Sequence, residues 1–146
     1  MRTASRRRIA QRSGAVTAAT LLALTFTGDA WAGSFTTSMS GVRTGFESRR
    51  WTDDGGSGPT KIEFTTCTAN GGQTPFSSTE VELWQDISMW PDGRRGVRTL
   101  TACKNGTAVG EYRAMEKGDK MYFRISKING MESNISLSVK HVRVAY

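Results

Sequence analysis

The chain has 146 residues, with 20 Lys and Arg, 13 Asp and Glu, one histidine and a formal net charge of +7. Residues 1–32 hold five of the basic and one of the acidic residues, so the net charge of the remaining 114 residues is +3. Most of the net positive charge thus lies in a segment that we expect to be removed, and the charge of the whole chain does not indicate a nucleic-acid-binding protein. Two cysteines and one histidine fall short of a structural zinc set, and we predict no metal site and no cofactor.

Residues 1–32 have the order of a secretory signal peptide. Five arginines precede the uncharged run Ala15–Phe26, and Ala30-Trp31-Ala32 supplies small residues at a cleavage site. An N-terminal helix of the folded protein is the other interpretation. The residues Ser5-Arg6-Arg7-Arg8-Ile9 also resemble a twin-arginine export signal, which leaves the choice between Sec and Tat export open. We predict that the protein is secreted, with a single small domain after cleavage.

Residues 33–60 are predicted to form an extended arm, Gly33–Trp51, and a flexible glycine-rich spacer, Thr52–Thr60. The apolar residues of the arm do not fall on one helical stripe, and its glycines and many Ser and Thr residues disfavour a helix. Extended chain is therefore the better prediction. The large apolar side chains of the arm are Phe35, Met39, Val42, Phe46 and Trp51.

An extended arm has backbone groups that need a partner sheet. In one interpretation the partner lies in the same chain, and the arm is the first strand of its own sandwich. In the other, the arm is donated to another protein, with main-chain hydrogen bonds for affinity and side-chain pockets for specificity. Under the second interpretation the partner-binding residues are the five apolar ones together with Arg49 and Arg50.

The segment 61–146 is predicted to be the folded body. It consists of six short runs, most of them with alternating apolar residues, and Pro91-Asp92-Gly93, Asn105-Gly106 and Asn129-Gly130 mark turns between them. This pattern predicts an all-β fold, a small antiparallel β-sandwich or barrel. The alternation changes parity near Lys140–His141, which predicts a β-bulge there. Cys67 is also out of step with the residues before it, so either a bulge intervenes or the cysteine faces the other side.

The two cysteines, Cys67 and Cys103, are separated by 36 positions. In an oxidising compartment they most simply form one disulfide. Free thiols or a metal pair are the alternatives. A disulfide closing a loop of this length is worth about 4 kcal/mol in the chain-entropy treatment, a large share of the stability of a small domain.

The sequence favours no enzyme. His141 is the single histidine and has no partner motif, so a catalytic triad is not indicated. Glu80, Glu82 and Asp86 share one strand face, an arrangement more typical of a solvated face than of a glycosidase pair. Asp53-Asp54-Gly55 lacks the spaced oxygen ligands of a calcium loop.

Aromatic and basic residues suggest a second class of function. Four aromatic residues could form a sugar-binding platform on a β-sandwich, although packing into the core is the plainer interpretation: Trp84, Trp90, Tyr112 and Tyr122. Arg94, Arg95 and Arg98 form a short basic cluster that could meet an acidic partner.

The arm motif GFESRRW followed by a Gly/Asp spacer, in an exported β-domain of this size, resembles the small linker subunit of actinomycete umbrella toxin particles. The resemblance covers the architecture of the mature chain. It implies that the arm threads into a repeat-bearing large toxin and that the body holds a lectin-like subunit. The toxic activity would then reside in the partner.

The functional hypothesis is therefore a secreted, non-catalytic adaptor that binds other proteins through a donated strand and a β-sandwich body, as part of an antibacterial toxin complex. No nucleic acid and no membrane span are expected. The alternative is a secreted carbohydrate-binding or antimicrobial module that acts alone.

Overall fold

The computed structural model describes residues 33–71 and 75–146; the predicted signal peptide lies outside them. Eight strands make up the fold, with a short 3₁₀ helix at Ala102–Lys104 between β5 and β6. The strands are β1 (Ser34–Arg43), β2 (Trp51–Thr52), β3 (Thr60–Asn70), β4 (Thr79–Gln85), β5 (Gly93–Leu100), β6 (Thr107–Tyr112), β7 (Lys120–Ile128) and β8 (Ser136–Ala145).

The strands form two four-stranded antiparallel sheets. Sheet A has the order β1-β8-β3-β6, and sheet B has the order β2-β7-β4-β5. Alternate residues of both sheets point into a common core, as the alternating sequence pattern requires. The structure thus confirms the predicted all-β antiparallel fold. The best-buried core residues include Ile62, Phe64, Val81, Leu83, Met121, Phe123, Ile125, Leu137, Val139, Val142 and Val144.

The change of parity in β8 is confirmed and occurs where it was predicted. Lys140 and His141 both face solvent, and the strand is buried at alternate positions on either side of them. Relative to β1, β8 carries an extra residue here, because Thr37 lies opposite Val142 while Met39 lies opposite Val139. The neighbouring strand β3 changes parity at the same level, because Phe64 and Cys67 are both buried although three positions separate them. Between them Thr66 has a φ of 58°, and this local change of backbone direction turns Cys67 into the core.

The disulfide Cys67–Cys103 is confirmed, with its Cα atoms 5.2 Å apart. Both residues are buried. Cys67 belongs to β3 of sheet A, and Cys103 lies in the 3₁₀ helix that follows β5 of sheet B. The bond therefore links β3 of sheet A to the segment that connects β5 of sheet B to β6 of sheet A.

The predicted arm is extended, but its partner sheet belongs to the same chain. β1 pairs with β8 along its length, from Ser34 opposite Ala145 to Arg43 opposite Ser136. Residues 44–50 then cross to sheet B and run along β7, where the amide of Ser48 donates to the carbonyl of Phe123 at 2.8 Å. The arm therefore supplies one edge of each sheet.

The predicted division into an arm and spacer at 33–60 and a separate body at 61–146 is wrong, because the first segment is part of the sandwich. The spacer is also anchored. The amide of Asp53 donates to the carbonyl of Asp119 at 2.8 Å, and the amide of Gly118 donates back to the carbonyl of Asp53 at 2.8 Å. The Asp53 carboxylate accepts from the amide of Gly55 at 2.8 Å, which closes a local turn.

Candidate functional site

The structure brings together four of the seven predicted partner-binding residues, which line one small crevice, and separates the other three: Phe35, Met39, Phe46 and Arg49 lie at the crevice, and Val42, Arg50 and Trp51 do not. Met39 and Trp51 are buried in the core. Phe35, Val42 and Phe46 are partly buried and pack against it, and only Arg49 and Arg50 are exposed. The prediction that the apolar side chains of the arm enter pockets of a partner is therefore corrected: they fill pockets of their own sandwich, which hydrophobic burial favours.

An aromatic cluster holds the arm to the C-terminal residue. Trp51 lies 5.6 Å from Phe35 and 5.9 Å from Tyr146 between ring centroids, and it stacks on Tyr146. The guanidinium of Arg49 covers the ring of Phe35 at 3.8 Å from its centroid. The two halves of the arm, one in each sheet, are thus joined to each other and to the end of β8.

The outer edge of β1 is exposed, and its regularly paired first part, Ser34–Thr37, is unprotected. β1 is the terminal strand of sheet A, so among the described residues no strand pairs with its far side. Its amides alternate in direction, and since Gly33 exchanges both hydrogen bonds with Tyr146, the amides of Ser34 and Thr36 face away from β8. The stretch from Gly33 to Val42 contains no charged residue and no proline, two of the usual devices that protect an edge. A third device, the β-bulge, is present only further along, where the pairing with β8 shifts register between Thr37 and Val42.

An apolar crevice of about 100 Å³ opens beside this edge, between β1 and residues 46–49. Its apolar lining comes from Phe35, Met39, Phe46 and Phe123. The Arg49 guanidinium over Phe35 places a positive charge at the crevice. Because the crevice lies where the two sheets separate, a strand added to β1 would carry alternate side chains towards it.

The outer face of sheet B carries a ladder of alternating arginine and aromatic side chains. Trp84 on β4 and Tyr122 on β7 lie opposite each other and stack, with ring planes 16° apart. The guanidinium of Arg50 lies 4.2 Å from the Tyr122 centroid, and that of Arg124 lies 5.9 Å from the Trp84 centroid. Cation–π contacts at these distances stabilise the face.

Carboxylates anchor this ladder. Glu82 is buried and accepts hydrogen bonds from the indole of Trp84 at 2.8 Å and from Arg94 at 3.2 Å. Asp86 pairs with Arg50 at 3.4 Å. These acidic side chains are therefore engaged in holding the aromatic and basic residues of the face.

The four aromatic residues do not form a contiguous platform, and three of them follow the plainer interpretation of packing within the chain. Tyr112 and Tyr122 are buried, and Trp84 stacks within the ladder. The Tyr112 hydroxyl donates to the carbonyl of Val81 at 2.9 Å, across the two sheets. Burial raises the pKa of both tyrosines above 10. Only Trp90 is well exposed.

Trp90 lies at the tip of the hairpin between β4 and β5. Its side chain is 75% exposed and that of the neighbouring Met89 is 100% exposed, which makes them the two most exposed large apolar residues described. Met89 has a φ of 66°, a left-handed backbone conformation that is energetically unfavourable for residues other than glycine. The turn itself lies at Ser88 and Met89, where the amide of Trp90 donates to the carbonyl of Ile87 at 3.2 Å. It therefore precedes the predicted turn Pro91-Asp92-Gly93, whose last residue begins β5.

The basic cluster is dispersed over contacts within the chain. Arg94 pairs with Glu82, and Arg95 donates to the side-chain oxygen of Gln85 at 2.8 Å. The guanidinium of Arg98 lies 5.5 Å from the centroid of the Tyr112 ring. The three arginines thus do not act as one free positive patch.

The catalytic candidates are not brought together. His141 is exposed on sheet A opposite Thr65, and no hydrogen bond joins it to an acid or hydroxyl among the described residues. The hydroxyl of Thr65 is within 2.6 Å of that of Thr107. Glu80 accepts from the Ser126 hydroxyl and pairs with Lys127, so it too is engaged in a local network.

Over residues 33–71 and 75–146, no group of three or more His, Cys, Asp or Glu side chains is arranged to hold a metal ion. In the same ranges no helix is long and apolar enough to span a bilayer. Comparison with protein-family models, with curated proteins and with solved structures gives no match to this chain.

Two surface features were missed by the sequence reasoning. The absence of charge and proline over residues 33–42 is a sequence signal for an open edge, and an interpretation based on the apolar side chains alone does not use it. Met89 and Trp90 stand next to the turn signal at Pro91, and two large apolar residues at a hairpin tip have no room to be buried in their own hairpin.

Proposed function

We propose that the protein is a secreted, non-catalytic adaptor that binds a partner protein by adding an extended segment of that partner to the free edge of β1. The exposed, uncharged and unpaired edge of β1 is the observation that carries this proposal. In this proposal the arm pairs with a strand of another protein, and it does so as the edge strand of its own sandwich. Its backbone makes the contact while its apolar side chains stay packed on their own core.

Main-chain pairing supplies the affinity in such an arrangement. The outward amides of Ser34 and Thr36, with the carbonyls of the same residues, offer the ladder positions that a new antiparallel or parallel strand needs. The strand β8 holds β1 in place from the other side, so little backbone entropy is lost when the partner pairs. A preformed edge is therefore a better acceptor than a loose arm.

The crevice beside the edge defines the chemistry of the partner segment. Its lining of Phe35, Met39, Phe46 and Phe123 suits a medium-sized apolar side chain. Arg49 at the crevice and Arg43 at the end of β1 favour an acidic residue close to that apolar one. The partner strand is thus expected to alternate apolar residues and to carry at least one carboxylate.

The predicted export signal and the resemblance to the small linker subunit of umbrella toxin particles support an extracellular antibacterial assembly as the setting. In that setting the partner segment would belong to the large repeat-bearing toxin, and the rest of the sandwich would hold a lectin-like subunit. Toxicity would reside in the partners. The carbohydrate-binding alternative has no aromatic platform to support it.

The test compares Thr36→Pro with Thr36→Val on the full mature chain. Proline removes the outward amide of Thr36, which makes no ladder bond to β8, and proline is tolerated on edge strands. Valine keeps that amide. The native culture medium of the producing organism supplies the partner, which is identified by mass spectrometry and then purified for affinity measurements with both variants.

We expect the Thr36→Pro variant to bind the purified partner at least about 10-fold more weakly, and the Thr36→Val variant to bind it like the unaltered chain. Hydrogen exchange at the amides of Ser34 and Thr36 should slow in the complex. Equal binding by both variants, or exchange that does not change, contradicts the proposal. A dimer of this chain that is lost with Thr36→Pro also contradicts it, because the edge would then pair with itself.

A further inference from the structure

The hairpin tip formed by Met89 and Trp90 presents two large apolar side chains to solvent. Such residues are usually buried, and tryptophan is among the residues most enriched at the energetic centres of protein interfaces. The tip connects β4 and β5, which form one side of sheet B. The strand β2 forms the opposite side, and β1 lies next to it through the contact of Phe35 with Trp51. It is therefore a surface distinct from the β1 edge.

The base of the tip is rigidly held. The amide of Trp90 donates to the carbonyl of Ile87 at 3.2 Å, and the Asp92 carboxylate accepts from the amide of Ile87 at 3.3 Å. The other oxygen of Asp92 accepts from the hydroxyl of Tyr122 at 2.7 Å. Tyr122 is itself buried and stacked on Trp84, so the tip is fastened to the ladder on sheet B.

This rigidity has a consequence for binding. A side chain that is presented on an ordered turn loses little conformational freedom when it enters a pocket. The left-handed backbone of Met89 is a local strain, and strain of this kind is characteristic of functional segments. Both properties fit an exposed apolar anchor better than an incidental surface residue.

We propose that Met89 and Trp90 form the anchor of a second protein interface, inserted into a concave apolar pocket of a partner protein. The charges around the tip favour a protein over a lipid surface. Asp86 and Asp92 lie on the hairpin itself, and Asp119 is held next to it by Gln85 at 2.7 Å. Arg50 pairs with Asp86, and Arg94 and Arg95 follow the tip at the start of β5. The surroundings of the tip thus carry charges of both signs without the positive excess that attracts a segment to an anionic membrane, whereas the rim of a protein pocket can match such a mixed pattern.

The interface gives the chain two separate binding surfaces, as an adaptor requires. It does not rest on the proposed role of β1, since a protein that binds only through the tip needs no free edge. The two inferences can therefore fail independently. Thr36→Pro should leave the tip interface intact, and a change at Trp90 should leave pairing at β1 intact.

The experiment places the photoreactive residue benzoylphenylalanine at position 89 of the full mature chain and irradiates it in concentrated native culture medium. Trp90→Ala is tested in the same background. Val109→Ala is the matched control, because Val109 is 47% exposed on β6 of the other sheet. Vesicles of neutral lipid, with and without anionic lipid, are tested in parallel by flotation.

We expect one discrete cross-linked protein, with the adduct mapped to an apolar pocket. Its yield should fall about 10-fold or more with Trp90→Ala and stay unchanged with Val109→Ala and with Thr36→Pro. Absence of a discrete product, or a product that Trp90→Ala does not reduce, overturns the proposal. Flotation with vesicles that Trp90→Ala abolishes also overturns it, because the tip would then be a lipid anchor.

Discussion

The indole of Trp51 stacks on the ring of Tyr146, with centroids 5.9 Å apart and planes 28° apart. One residue ends the predicted arm, and the other ends the chain. Their contact closes the side of the sandwich on which β1 and β2 form the edges of the two sheets. An arm fastened at this point is part of the folding unit, so its removal should unfold the protein, whereas a donated arm could be removed without loss of the body.

Replacing Trp51 by alanine should therefore cost about 3–5 kcal/mol of stability, the range for truncating a buried large aromatic residue. Trp51 is 5% exposed, and its indole N–H has no acceptor among the described residues. Phenylalanine keeps much of the packing and removes that unpaired donor, so Trp51→Phe should cost much less. Denaturant unfolding of the two variants measures both values. Equal, small losses would indicate that the arm is not integral to the fold.

Removal of the disulfide should lower the free energy of unfolding by about 4 kcal/mol. The double variant Cys67→Ala with Cys103→Ala removes both buried thiols and avoids a reactive free cysteine. The comparison with the reduced unaltered protein separates the loss of the cross-link from the loss of sulfur packing. A double variant as stable as the oxidised protein would show that the sheets hold together without this bond.

The strands were predictable because their information is local. Alternating residues such as Ile62 and Phe64 define one face of a strand from neighbouring positions, and the turn residues mark its ends. The parity change at Lys140 and His141 is also local. The fold class and the disulfide were accessible for these reasons.

The pairing of the arm was not predictable in the same way. Ser34 lies opposite Ala145, and nothing in the local sequence of either strand specifies the other. A strand that pairs within its own chain and one that pairs with another protein need the same apolar and polar residues. The exposure of Trp90 likewise depends on how far its hairpin extends beyond the sheet, which no local periodicity encodes.

Asp53 should make the stability depend on pH. Burial raises the pKa of its carboxyl above the ordinary 3.8, partly offset by the hydrogen bond from Gly55, and the nearby carboxylates of Asp119 and Asp54 raise it further. As the pH rises from 3.8, the unfolded chain therefore loses its proton before the folded one, and stability falls until the folded carboxyl also ionises.

The variant Asp53→Asn should remove this loss, since an amide oxygen can still accept from Gly55. Its Tm should equal that of the unaltered protein near pH 3 and exceed it at pH 7. Glu132→Gln, at an exposed carboxylate, is the control and should show no such trend. A gain of the same size at both pH values would mean that the charge of Asp53 is not its cause.

Met89→Gly should raise the free energy of unfolding by up to about 1 kcal/mol, because glycine adopts a φ of 66° without strain. The side chain is 100% exposed, so no packing is lost. Met89→Ile should be destabilising, since a β-branched residue is poorly accommodated in the left-handed region. Thermal unfolding of the two variants measures this difference. If Met89→Gly gains stability and also weakens the tip interface, the chain retains a strained methionine at the expense of stability, as a binding role predicts. Loss of stability with Met89→Gly would show that the turn does not carry strain.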